Sequence, residues 1–168
     1  FGLKTVAKEL GKFIKEQHHD LKVMGVINAN DDSFFSASRF QAQTAIDKIK
    51  QMIEDGADIV DIGGVSSRPG SDLVTADEEL QRVKPIIDTI WEEKLFETTS
   101  FSIDSYAPVV VYYALGHGFC ILNDITGLAD DKLCEIAAKH QAKVVIMHMQ
   151  GTPQTMQKDP HYDNIISE

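Results

Sequence analysis

Five short apolar runs in this sequence end in a side chain able to do chemistry. Asn28 follows the first, and Asp61 belongs to Asp61-Ile62-Gly63-Gly64 at the second. Asp104-Ser105 follows the third, Asn123-Asp124 the fourth and His148 the fifth. A carboxylate accepts two hydrogens, and a carboxamide offers both a donor and an acceptor. Asp104 and Asn123 together suit the edge of a flat heterocycle. The segment Gly63-Gly64-Val65-Ser66-Ser67-Arg68-Pro69-Gly70-Ser71 is of a different kind. Its glycines let backbone approach a ligand, and its hydroxyls with one guanidinium suit a phosphate or diphosphate. The plainer alternative pairs Arg68 with a surface acid. Residues 28–40 mix carboxamides, acids and hydroxyls with three phenylalanines. They fit either a flap whose oxygens reach a metal or an anion, or a loop packed by its own rings. His148 and His161 have no Cys or third His at ligand spacing, which argues against zinc.

The elements that must position these residues follow from periodicity. Strands are predicted at 23–27, 58–62, 100–103, 119–122 and 144–147, each a short run of the kind buried on both faces. Helices are predicted at 40–55, stopped by Gly56, at 75–90, at Pro108–Leu115 with Gly116 behind it, and at 131–140. Thr75-Ala76-Asp77-Glu78 spells a capping box, with Leu80, Val83, Ile87 and Ile90 facing the sheet. Pro85 predicts a kink or break there. Residues 1–22 read as an amphipathic helix, with Leu3, Val6, Leu10, Phe13 and Ile14 on one face.

A helix followed by alternating strands and helices implies parallel strands with right-handed crossovers. An open doubly wound sheet and a (β/α)₈ barrel both fit. An open sheet gathers its ligand contacts at one switch point, whereas a barrel brings every strand's C-terminal end to one mouth. Five polar strand ends favour the barrel over the alternative that Asp and Asn merely shape turns. No phosphate-binding glycine fingerprint supports the open sheet. A full barrel has eight strands and roughly 250 residues. This chain of 168 residues holds about five β/α units, so a truncated barrel is expected over residues 23–168.

Composition narrows the function. Hydrophobic residues make up 43% and charged residues 25%, as in ordinary globular proteins. Twenty-six acids against sixteen bases give a net charge of −10, which repels phosphate backbones and argues against nucleic-acid binding. No apolar run approaches the roughly 18 residues of a membrane span. Cys120 and Cys134 read as two buried free thiols of a cytosolic chain, and the opening residues lack the apolar core of a secretory signal.

Five motifs now stand in order: Met24-Gly-Val-Ile-Asn28 with Asp32-Ser-Phe34, Gly56-Ala-Asp-Ile-Val-Asp-Ile-Gly-Gly64 with Ser67-Arg-Pro-Gly70, Ser102-Ile-Asp-Ser105, Leu122-Asn-Asp-Ile125, and Met147-His-Met-Gln-Gly-Thr-Pro153. From about residue 23 onward the chain resembles the dihydropteroate synthase family. The resemblance implies a (β/α)₈ barrel that is cytoplasmic, homodimeric and dependent on Mg²⁺. It implies that p-aminobenzoate displaces pyrophosphate from 6-hydroxymethyl-7,8-dihydropterin pyrophosphate to give 7,8-dihydropteroate. It makes Asp104, Asn28 and Arg68 the catalytic group. Asn28 touches the metal or pyrophosphate. Ser67 and Arg68 lie by the pyrophosphate and p-aminobenzoate, and Asp104 and Asn123 read the pterin. Asp61, Ile125 and Met147 are further contacts, although Met147 fits ordinary barrel core equally well.

The departures are local. Asn28-Ala-Asn-Asp-Asp-Ser-Phe34 lacks the Thr and Pro usual in the family's first loop. Val65 replaces a usual Glu, and Ser67 replaces a Thr while keeping the hydroxyl. The family's later pterin and pyrophosphate residues are expected beyond these 168 residues, so this piece alone is expected to be weak or inactive. Two rival readings accompany the synthase: the related pterin-binding barrel of corrinoid-dependent methyltransferases, and a non-catalytic pterin-binding or assembly module. The loop at 66–70 favours the synthase.

Overall fold

The computed structural model describes residues 9, 13, 16, 21–29, 39–65, 74–152, 155–156, 159–164 and 166, with the side chains of 39–41 excepted. The strands are β1 (Met24–Asn28), β2 (Ile59–Gly63), β3 (Ser100–Asp104), β4 (Ile121–Asp124) and β5 (Lys143–Ile146). The helices are α1 (Arg39–Glu54), α2 (Ala76–Glu92), α3 (Pro108–Leu115) and α4 (Asp131–Lys139), with a 3₁₀ turn at Leu95–Glu97. Most of the predicted helix at 1–22 lies outside the described residues; Glu9, Phe13 and Glu16 are helical, and Phe13 is exposed.

All neighbouring strands pair in parallel, in the order β1-β2-β3-β4-β5. An open doubly wound sheet reverses its strand order at the switch point. This order never reverses, which is the winding of a barrel. Side chains two apart share a sheet face. One face carries Ile27, Val60, Ile62, Phe101, Ile103 and Leu122, all buried in one core with residues from all four helices. Ile46 and Ile49 come from α1, Val83, Ile87 and Ile90 from α2, Val110 and Val111 from α3, and Leu133 from α4. Burying each such side chain stabilises the fold by about 1.5–3 kcal/mol before chain entropy is counted. The helices thus cover one face, and the other is left for chemistry.

Local chemistry sets the helix ends. Thr75 caps α2 as expected: its backbone N–H donates to Glu78 Oε2 (2.9 Å) and its Oγ1 accepts from the Glu78 N–H (3.3 Å). Of the kink or break expected at Pro85, the break does not occur: α2 runs unbroken to Glu92. Proline removes a single backbone donor, while Val83, Ile86, Ile87 and Ile90 anchor both sides of it in the core. Gly56 closes α1 with φ +97°. Gly116 caps the C-terminus of α3 as expected, and the left-handed residue follows at Gly118: its φ is +84°, and a Cβ there would sit 2.7 Å from the Phe96 ring.

Strands β1 to β4 end slightly later than their apolar runs, whereas β5 (Lys143–Ile146) starts and ends slightly earlier than expected. Asn28, Asp104 and Asn123-Asp124 are ladder members, not residues that follow the ladder. Hydropathy falls at the last polar residue, but its backbone still pairs. Cys120 and Cys134 are exposed, against the expectation of buried thiols. Cys120 precedes β4. Cys134 sits about 100° around α4 from the buried Leu133 and so turns away from the sheet.

Candidate functional site

The strand register places four residues in one row across the uncovered face. Asn28, Gly63, Asp104 and Asn123 are successive Cα partners on β1, β2, β3 and β4. One level below run Val26, Asp61, Ser102 and Ile121. Gly63 leaves a gap in the upper row. A Cβ there would lie 3.4 Å from Asp104 Oδ2 and 3.8 Å from Asn28 Oδ1, so the missing side chain leaves room between the amide and the acid.

Asp61 lies deeper than the sequence suggested. It is 3% exposed, and its Oδ2 accepts from Asn123 Nδ2 at 3.2 Å. That bond fixes which way round the Asn123 carboxamide sits. Asp61 is therefore linked to the upper row through Asn123. Asp61 Oδ1 and the buried Ser102 Oγ have no hydrogen-bond partner among the described residues. Unpaired buried polar atoms cost about 1–3 kcal/mol each. These two belong to adjacent register partners, and a ligand donor or an ordered water would satisfy them.

Electrostatics single out the same strand. Burial, with the nearby Asp61 and Asp124 charges, raises the Asp104 carboxyl to about 6. It is thus mostly ionised at neutral pH, ready to accept N–H donors and to favour positive charge on whatever it holds. Glu79 on α2 is buried behind the row and is raised further, to about 7. Burial is the main cause and Asp104 adds to it, while Ser105 and Arg82 oppose the shift. Burial, Glu79 and Asp104 also raise Tyr106.

Other polar strand ends serve the loops. Asp124 points to the helix side: its Oδ1 accepts from the Thr126 N–H (2.8 Å) and its Oδ2 from the Leu128 N–H. Ser105 Oγ accepts from the Ala107 N–H at 3.1 Å. His148 pairs with the Tyr162 hydroxyl at 3.1 Å on an exposed surface. At Asp124 and Ser105 the turn-shaping alternative holds. Ile125 is half-buried just past β4, and Met147 is exposed past β5, its N–H donating to Asp124 O. Ser67, Arg68 and the loop at 30–38 lie outside the described residues.

The profile of the pterin binding enzyme family matches residues 24–168. The chain belongs to the pterin binding enzyme family. Its relatives sharpen this. The bifunctional dihydropteroate synthase/dihydropteroate reductase of Helicobacter pylori is 37% identical over the whole of this chain and 44% of its own. The Yersinia pestis dihydropteroate synthase, solved with a sulfonamide drug, superimposes with a TM-score of 0.74 at 34% identity, over 87% of this chain and 52% of that one. The Clostridium difficile dihydropteroate synthase, solved in the presence of pteroic acid, gives 0.73 at 36% identity, over 87% and 52%. The chain spans about half the length of the dihydropteroate synthases it matches.

In this pterin binding enzyme the sequence-predicted Asn28, Asp61, Asp104 and Asn123 meet on one face. Sequence reasoning passed over Ser102 and Glu79. Ser102 was concealed inside an apolar strand. Glu79 was detectable, because it stands four residues before Val83 and so on the buried stripe of α2.

Proposed function

We propose that the protein is a dihydropteroate synthase, joining 6-hydroxymethyl-7,8-dihydropterin pyrophosphate to p-aminobenzoate with loss of pyrophosphate. The observation that carries this reading is the row Asn28, Gly63, Asp104 and Asn123 on the open face of a pterin binding enzyme sheet. In the reaction the methylene C–O bond breaks and pyrophosphate leaves with the electron pair. The amine nitrogen forms the new C–N bond and then loses a proton. The requirement is positioning and charge stabilisation more than a strong base.

Each residue takes a part that its chemistry allows. The Asp104 carboxylate accepts ring N–H groups and favours the positive charge that the ring shares as the C–O bond lengthens. Asn123, held by Asp61, offers its remaining donor and acceptor to the same edge. Ser67 and Arg68 supply the donors for the pyrophosphate. Mg²⁺ fits as an ion shared with the pyrophosphate. The described residues hold no group of three or more His, Cys, Asp or Glu arranged to grip an ion, while Asn28 offers one hard carboxamide oxygen. Mg²⁺ beside substrate phosphates is commonly held by one or two protein groups, usually carboxylates, and here the Asn28 carboxamide oxygen would take that place. When bound it would neutralise charge on the departing pyrophosphate.

The synthase names of the relatives favour this reading over the methyltransferase and the assembly module. A homodimer is part of the proposal, and sedimentation of the natural full-length gene product tests it. That same product, given both substrates and Mg²⁺, should form dihydropteroate and pyrophosphate in equal amounts. Turnover of a methylated folate instead, or no turnover with undiminished folding, would overturn the assignment.

A further inference from the structure

Glu79 is a buried acid to which the chemistry above assigns no task. It is 3% exposed, and its Oε1 has no hydrogen-bond partner among the described residues. Three observations tie it to the site. The Glu79 Cγ lies 2.8 Å from where a Gly64 Cβ would stand, so the carboxyl stem fills the space under the turn that leaves β2. One turn on, Arg82 Nη1 donates to Gly64 O at 3.2 Å, so α2 grips that turn from two places. On its other side the Glu79 carboxyl interacts with Ser105, whose own Oγ holds the Ala107 N–H and shapes the chain directly after Asp104.

We propose that Glu79 is a positioning residue. From α2 it braces the turn after β2 against the turn after β3, and so holds Asp104 and the Gly63-Gly64 backbone at the spacing the substrate requires. The inference rests on the synthase reading. An acid is a costly choice for a buried brace, since leucine would fill the space without desolvating a charge. What the acid adds is a polar link to Ser105. The groups facing it are Arg82 on its own helix, and Asp104, Ser105 and Tyr106 from the β3 side. Burial raises both carboxyls, and Glu79 keeps its proton into the neutral range. Glutamine reproduces the size and hydrogen-bonding ability of that protonated acid.

The test uses the natural full-length gene product, with active sites titrated so that misfolded protein does not count. Glu79→Ala should raise the KM for dihydropterin pyrophosphate at least tenfold, with a smaller fall in kcat. Glu79→Gln should restore the KM to within about threefold. Gly64→Ala, whose methyl group would press on the Glu79 stem and on Val83 alike, each at 2.8 Å, should raise that KM as well, and it serves where Glu79→Ala fails to fold. A merely structural role would lower the Tm and the titrated fraction but leave the KM per active site unchanged. An unchanged KM in Glu79→Ala or, if that variant does not fold, in Gly64→Ala overturns the proposal, as does a Glu79→Gln variant no better than Glu79→Ala. A parent without synthase activity would count against the synthase reading instead.

Discussion

Strands β3 and β5 both come from apolar runs of the sequence, yet their surroundings are opposite. Phe101 and Ile103 of β3 are sealed under the helices, and Ser102 between them is equally inaccessible. In β5 every residue is exposed, with Val145 at 47% and Ile146 at 59%. The difference is backing. β3 has a paired strand on each side and helices against its apolar face, whereas β5 pairs only with β4 among the described residues. Of the residues proposed for chemistry, Asp61, Asp104 and Asn123 stand on strands paired on both sides, and Asn28 stands on β1 at the end of the described sheet. A polar row needs a rigid floor, because an amide or carboxylate displaced by an ångström no longer matches a ring edge. Among the described residues the outer edges of β1 and β5 are both unpaired, and β5 is the more apolar of the two places where another strand could add.

The contrast can be broken most severely in the floor. Phe101→Ala should cost about 3–5 kcal/mol in urea unfolding; a loss below about 1 kcal/mol would mean that β3 is not backed as described. Next comes the row itself. Asp104→Asn should weaken pterin pyrophosphate binding about 100-fold by calorimetry, or about 2.7 kcal/mol at 1.36 kcal/mol per tenfold.

The same substitution should stabilise the protein at alkaline pH. The folded-state pKa of Asp104 is raised to about 6 from 3.8, so the folded protein holds the proton more tightly than the unfolded chain. Stability from this group is intact below about pH 4 and is lost as pH rises through 6. Relative to the parent, Asp104→Asn should therefore gain on the order of 1–3 kcal/mol above pH 7 and almost nothing at pH 4. A gain that does not vary with pH would contradict the burial of that carboxyl.

A smaller effect sharpens the geometry. In Gly63→Ala the new methyl group finds ordinary contact distances to Asp104 and Asn28, so the fold should hold. It nonetheless fills the gap in the row, and pterin pyrophosphate should bind about tenfold more weakly, or about 1.4 kcal/mol. Smallest of all, Val145→Thr on exposed β5 should change stability by no more than about 0.5 kcal/mol.

How legible this was in the sequence depended on the range of the interaction. The capping box at Thr75 and the stop at Gly56 are local and were readable from neighbouring residues. The ends of β1 to β4 came out slightly early, because hydropathy stops before hydrogen bonding does. As to a break, Pro85 misled, since a local rule met a stronger tertiary stripe. The bond from Asn123 to Asp61 spans 62 residues of chain and leaves no local trace. The row itself required the register, which no strand carries alone. Glu79 escaped because Asp77-Glu78-Glu79 reads as the solvated first turn of a helix, although its spacing to Val83 pointed inward. The exposure of β5 and of both cysteines was equally hidden, because an apolar run does not say what covers it.

The central claim is that one row of side chains on the uncovered face grips a fused-ring heterocycle. A crystal structure of the natural full-length gene product with 6-hydroxymethylpterin pyrophosphate tests it most directly. The ring edge should hydrogen-bond to Asp104 and Asn123, with Asn28 on the pyrophosphate side of Gly63. A ring bound on the helix side of the sheet, or with Asp104 and Asn123 both out of hydrogen-bonding reach, would contradict it.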